Sequence, residues 1–116
     1  MSRIELAKIS EISFGYGGYQ DVQFGISISF SGKGFGVSDF KGFWSLDIEA
    51  NERTEWTEQD RDKIYAEMMR WINTIMKKAK VYDLDQLKNI PVELTFEGSG
   101  HGCSGLESWR ILEEVL

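Results

Sequence analysis

Between Val22 and Phe30 the chain alternates, with Val22, Phe24, Ile26, Ile28 and Phe30 apolar and Gln23, Gly25, Ser27 and Ser29 between them polar or small. Successive strand side chains point to opposite faces, so a two-residue period sends one row into a core and the other toward water. Ile9 to Tyr16 carries the same period, with Ile12, Phe14 and Tyr16 on one face and Ser13 and Gly15 on the other. Gly17 and Gly18 follow, and two glycines that accept positive φ predict a tight hairpin turn between these strands. Ser31, Gly32, Lys33 and Gly34 predict the next turn. A third strand is expected from Phe35 to Ile48, with Phe40, Trp44, Leu46 and Ile48 in one phase and Gly42 marking a bulge or a close approach.

The period then lengthens. Thr57 stands three residues before Asp60, a capping arrangement that opens a helix. Ile64, Met68, Trp71, Ile72, Ile75, Met76 and Ala79 recur at spacings of three and four, an apolar stripe that must cover the sheet. Asp83 to Leu87 predicts a short helical turn ended by Asn89 and Pro91. Val92, Leu94 and Phe96 alternate with Glu93, Thr95 and Glu97, and Trp109, Ile111 and Val115 are expected on the inner face of the last strand, completing a second hairpin. The expected fold is α+β in the order β-β-β-α-β-β. An antiparallel sheet, made of a three-stranded meander and a C-terminal hairpin, carries one long helix on one face. Strand order does not follow from the pattern. Residues 1–116 are read as a single domain, because halves of a 116-residue chain are too small for separate cores and no repeat or long linker divides it.

Composition narrows the function classes. Hydrophobic residues at 41% fill one core. No apolar run approaches the ~18 residues of a membrane span, and Met1 to Glu5 lacks the layout of a signal peptide. Cys103 is the one cysteine, so no intrachain disulfide forms, which fits a reducing compartment; the expectation is a cytoplasmic protein with no membrane partner. With 19 acidic and 13 basic residues the formal charge is -6, which repels a phosphate backbone and argues against direct nucleic-acid binding. Lys77, Lys78, Lys80 and Lys88 form the densest basic group, and cations there suit a helix C-terminus.

Candidate chemistry is sparse. The loop Gly98 to Gly105 holds the only histidine, His101, two residues from Cys103. A structural zinc site takes four ligands and thiol catalysis takes a base in a rigid frame, whereas this loop offers two ligands among many glycines. The glycines around Gly17 and around Gly34 lead into strands rather than helices, so they are turns and not phosphate cradles. No nucleophile, base and orienting group can be named together. The expectation is a protein without enzymatic activity, cofactor or metal. Asp47, Glu49, Glu52, Glu55, Glu58, Asp60 and Asp62 form an acidic stretch relieved by Arg53 and Arg61, which serves either as a solvated loop with a favourable helix N-terminus or as a docking surface for a basic partner. Tyr16, Tyr19, Phe35 and Phe43 are aromatics with no assigned core place. The candidate protein-binding residues are therefore Tyr16, Tyr19, Gln20 and Asp21 on the first hairpin and Glu49, Glu52, Glu55, Glu58 and Asp62 on the acidic stretch. The alternative is a small-ligand or metal-binding module using the Gly17–Asp21 turn, with Gln20 and Asp21 as polar contacts, or His101 and Cys103. A strand edge on so small a sheet can also pair with a copy of itself, giving a homodimer.

Phe14 to Asp21, Gly36 to Gly42, Pro91 to Gly98 and Ser108 to Leu112 together resemble a family of small uncharacterised proteins encoded by bacteriophages and prophages. The resemblance runs over nearly the whole chain and carries no catalytic residues, and the His101 and Cys103 loop stands as a local elaboration. It implies an accessory protein in the host cytoplasm that binds a host protein, for instance as an inhibitor of a defence or nucleic-acid-processing system.

Overall fold

A computed structural model describes residues 3–97 and 105–116. Five strands form one antiparallel sheet: β1 (Arg3–Gly17), β2 (Gln23–Gly32), β3 (Phe35–Trp44), β4 (Pro91–Phe96) and β5 (Leu106–Ile111), in the spatial order β3-β2-β1-β4-β5. The helix α1 (Glu58–Ala79) packs on one face, and a short 3-10 turn at Leu84–Leu87 leads into β4. This is the expected α+β architecture. The long first strand joins the two hairpins: it pairs from Ala7 to Gly17 with β2, and from Arg3 to Lys8 with β4.

The helix forms where its signals lie. Thr57 and Asp60 make a reciprocal capping box, and Lys80 ends the helix in the left-handed region with φ 61°. Met68, Ile75 and Ala79 are buried, with Trp71, Ile72 and Met76 packed beside them, so the apolar stripe does cover the sheet. Opposite it lie Ile9, Ile26, Ile28, Phe30, Val92, Leu94 and Ile111, each nearly inaccessible. Trp109 stands between the layers, with ring centroids 5.0 Å from Phe30 and 6.0 Å from Trp71.

The structure corrects four readings. β1 begins at Arg3 rather than Ile9, because β4 supplies a partner that the alternation of β1 alone could not reveal. The first hairpin is not closed by Gly17 and Gly18. Gly17 still pairs with Gln23, and the loop passes through Gly18, Gln20 and Asp21, all at positive φ (68°, 52° and 57°). The third strand stops at Trp44 and its phase is reversed. The two-residue turn at Lys33 and Gly34 sets Phe30 opposite Val37, so Phe35, Val37 and Phe43 face the helix layer while Phe40 and Trp44 take the other face. Leu46 is 73% exposed. Last, β5 ends at Ile111, and Val115 sits exposed in a terminal 3-10 turn.

The face away from the helix is built of Ser13, Gly15, Gly25, Ser27, Ser29, Ser38 and Gly42 around Phe40. Gly42 marks a close approach, as anticipated: a Cβ there would meet the Phe24 carbonyl, and one on the facing Gly25 would meet the Lys41 carbonyl. Phe40 lies over Gly17 and Gly42, so glycines give this aromatic ring a partly covered seat on the open face.

Candidate functional site

The two groups of candidate binding residues come from distant parts of the chain, and the sheet brings them to one end of the molecule. Gly17, Gln23 and Trp44 are aligned across β1, β2 and β3, and the Ser45 N–H donates to the Val22 carbonyl over 2.9 Å. The first hairpin loop therefore sits beside the start of the β3–α1 connection, residues 45–57.

That connection has no regular structure and is held by one buried cation. Arg61, 2% exposed, donates from Nη1 to the carbonyls of Ser45 and Ile48, both at 2.7 Å, and approaches the Trp44 carbonyl at 3.5 Å. Its other nitrogens donate to the Glu58 carboxylate, and its guanidinium lies 4.8 Å from the Trp56 ring centroid. The planar fork of arginine spreads its donors over three nitrogens, so it reaches the carbonyls on one side and the carboxylate on the other, whereas a lysine ammonium has its three donors on one atom. The hydrogen bonds from Arg61 hold Glu58 below the usual carboxylate range, helped by the Ala50 N–H, while the Glu58 partner raises the Arg61 pKa. Tyr65 adds a second tie, its hydroxyl donating to the Trp44 carbonyl at 2.6 Å, and burial raises its pKa.

The acidic stretch thus divides. Glu58 and Asp60 have structural work, the first with Arg61 and Ala50, the second capping the helix through Thr57. Asp47, Glu49, Glu52, Glu55 and Asp62 are exposed, and among the described residues none of their side chains makes a hydrogen bond or an ion pair. Residues 47–62 hold seven carboxylates and two arginines, so a segment of net -5 carries nearly all of the chain's -6. Beside it opens a groove of about 330 Å³ lined by Phe43, Trp56, Asp60, Lys63, Ile64 and Glu67. Phe43 and Trp56 meet edge to face at 5.1 Å, which gives Phe43 the place that its sequence context did not.

No family model, curated protein or solved structure matches the chain.

On the first hairpin, Tyr16 is 64% exposed, with its ring 5.5 Å from Phe24. Gln20 and Asp21 are exposed in the left-handed loop, and the Tyr19 backbone belongs to the same 3-10 turn. Phe35 is not a free aromatic: it packs against Phe96 at 5.9 Å. His101 and Cys103 lie outside the described residues. Among the described residues no three histidine, cysteine, aspartate or glutamate side chains are grouped to hold a metal ion, and no helix is long and apolar enough to cross a membrane.

Sequence reasoning missed Arg61, reading it only as relief for neighbouring acids. Its signal was positional. Arg61 falls three and four residues before Ile64 and Tyr65 and seven before Met68, so it lies on the apolar stripe, where a cation must be paired.

Proposed function

We propose that the protein acts by binding another protein, docking a basic surface of its partner onto the β3–α1 connection. The observation that supports this best is the concentration of net -5 on one segment that a buried arginine holds in place. Unpaired carboxylates on a fixed frame attract a basic partner at long range without first paying the entropy of ordering a loop. Leu46, exposed beside them, and the groove lined by Phe43, Trp56 and Ile64 add apolar area that suits the stem of a lysine or arginine side chain, with Asp60 and Glu67 outnumbering Lys63 in the same lining. Asp21, on the adjoining loop, extends the acidic rim. The resemblance to phage and prophage proteins makes the expected partner a protein of a bacterial host and the expected place of action the host cytoplasm.

The test is capture from host lysate with the chain immobilised, comparing it with the variant Glu49→Gln, Glu52→Gln, Glu55→Gln and Asp62→Asn. One identified partner should be retained by the parent chain at low salt, weakened at high salt, and lost with the neutralised variant. Equal retention by both chains overturns the reading.

A further inference from the structure

We propose that the free half of β1, Ile12–Gly17, pairs antiparallel with the same edge of a second copy, about a two-fold axis at Phe14. This inference rests on different residues from the proposed partner site and does not depend on it.

β4 accompanies β1 only as far as Lys8, opposite Pro91. Two further bonds close the ladder, Ile9 N–H to the Ile90 carbonyl at 3.0 Å and Asn89 N–H to the Ile9 carbonyl at 2.7 Å. Beyond them β1 continues to Gly17 with β2 on one side and, among the described residues, no strand on the other. The main-chain groups of Ile9 thus point away from β2. A bulge between Ile9 and Glu11 adds one residue, and the alternation of an antiparallel ladder then turns the groups of Ile12, Phe14 and Tyr16 outward. These are also the residues whose side chains lie on the helix side. Phe14 and Tyr16 remain 41% and 64% exposed there, resting only partly on Phe24.

Exposed edges invite pairing unless charge, proline or shortness blocks it. The outer edge of β3 carries Asp39 and Lys41 on the helix side, and the six-residue β5 carries Glu107 and Arg110. Ile12–Gly17 has no charge and no proline. Its pattern also reads alike in both directions: about Phe14, Ser13 mirrors Gly15 and Ile12 mirrors Tyr16. A second copy turned by the two-fold places Phe14 against Phe14, Ile12 against Tyr16 and Ser13 against Gly15, large beside large on one face and small beside small on the other. The one nearby charge, Glu11, falls opposite Gly17 of the other copy. This self-matching selects a second copy over an unrelated strand.

The seam is short and the association correspondingly weak, so sedimentation velocity of the full chain is run across a concentration series. A monomer–dimer equilibrium is expected, and Phe14→Lys or Tyr16→Lys should raise its dissociation constant by roughly tenfold or more; circular dichroism shows whether each variant is folded. Register is read independently by Phe14→Cys in a Cys103→Ser background. Facing cysteines in a hydrogen-bonded pair are about 5.5 Å apart at Cα, within disulfide reach, so oxidised glutathione should give a covalent dimer, and Ser13→Cys in the same background should cross-link poorly. A chain that stays monomeric at every concentration without cross-linking overturns the proposal. So does a monomer whose lysine variants lose a captured protein, because the edge then takes a strand from that protein. Neutralising Glu49, Glu52, Glu55 and Asp62 should leave the dimer intact, which separates failure here from failure of the partner site.

Discussion

Arg61 shows how one side chain organises the connection on which the proposed function depends. Its hydrogen bonds to the Ser45 and Ile48 carbonyls satisfy acceptors that no strand or helix reaches, so removing it leaves them unpaired and frees the acidic segment. Arg61→Ala should destabilise the fold by about 3 kcal/mol, and Arg61→Lys should recover less than half of that loss, read from urea unfolding midpoints. The Glu58 partner makes part of this stability pH-dependent. Its folded pKa is lowered, first by the hydrogen bond from Arg61 and next by the Ala50 N–H. The contribution is therefore complete above the ordinary glutamate value of about 4.3, declines as pH falls beneath it, and is gone once pH passes below the folded pKa. Glu58→Gln should flatten this limb of the stability curve relative to the parent chain, while leaving the neutral-to-alkaline side parallel.

At the scale of elements, the helix and β2 were legible because each carries a single unambiguous period with a cap or turn at its ends. The third strand was not, since Phe35, Val37 and Phe43 form one apolar row and Phe40 and Trp44 another. Local sequence cannot choose between them. The choice is made by the turn at Lys33 and Gly34, which aligns Val37 with Phe30 and leaves Phe40 over glycines on the open face. The β1 extension escaped for a related reason, because Ile4 and Leu6 point outward at 61% and 67% exposure and gain their order from β4. The candidate site was half legible: its charges were plain, but their anchor and the groove lined by Phe43 and Trp56 arise only from tertiary contact. Pairing of β2 with β3 rests on the facing glycines. Gly25→Ala would drive a methyl into the Lys41 carbonyl and should cost about 1–3 kcal/mol. Gly36→Ala, whose Cβ would meet only the Phe30 carbonyl at 3.5 Å, should be near neutral by the same urea measurement.

For the whole molecule, the uneven charge sets stability and binding against each other. Five exposed carboxylates that make no hydrogen bond or ion pair, four on the connection tied to the fold by Arg61 and Asp62 on the start of α1, repel one another, which favours the unfolded chain, in which they move apart. Salt weakens repulsion beyond a Debye length of about 10 Å at 0.1 M. At a fixed low protein concentration, raising ionic strength from a dilute buffer should therefore raise the thermal midpoint of the parent chain. Neutralising Glu49, Glu52, Glu55 and Asp62 should raise the low-salt midpoint and remove most of this salt dependence. The same change should abolish partner capture. Opposite signs in one variant would distinguish a docking surface, where charge is kept at a cost in stability, from a merely solvated loop, whose neutralisation would leave binding unchanged. A variant with an unaltered midpoint and salt response would mean that the acids are too far apart, or too well hydrated, to act as one field.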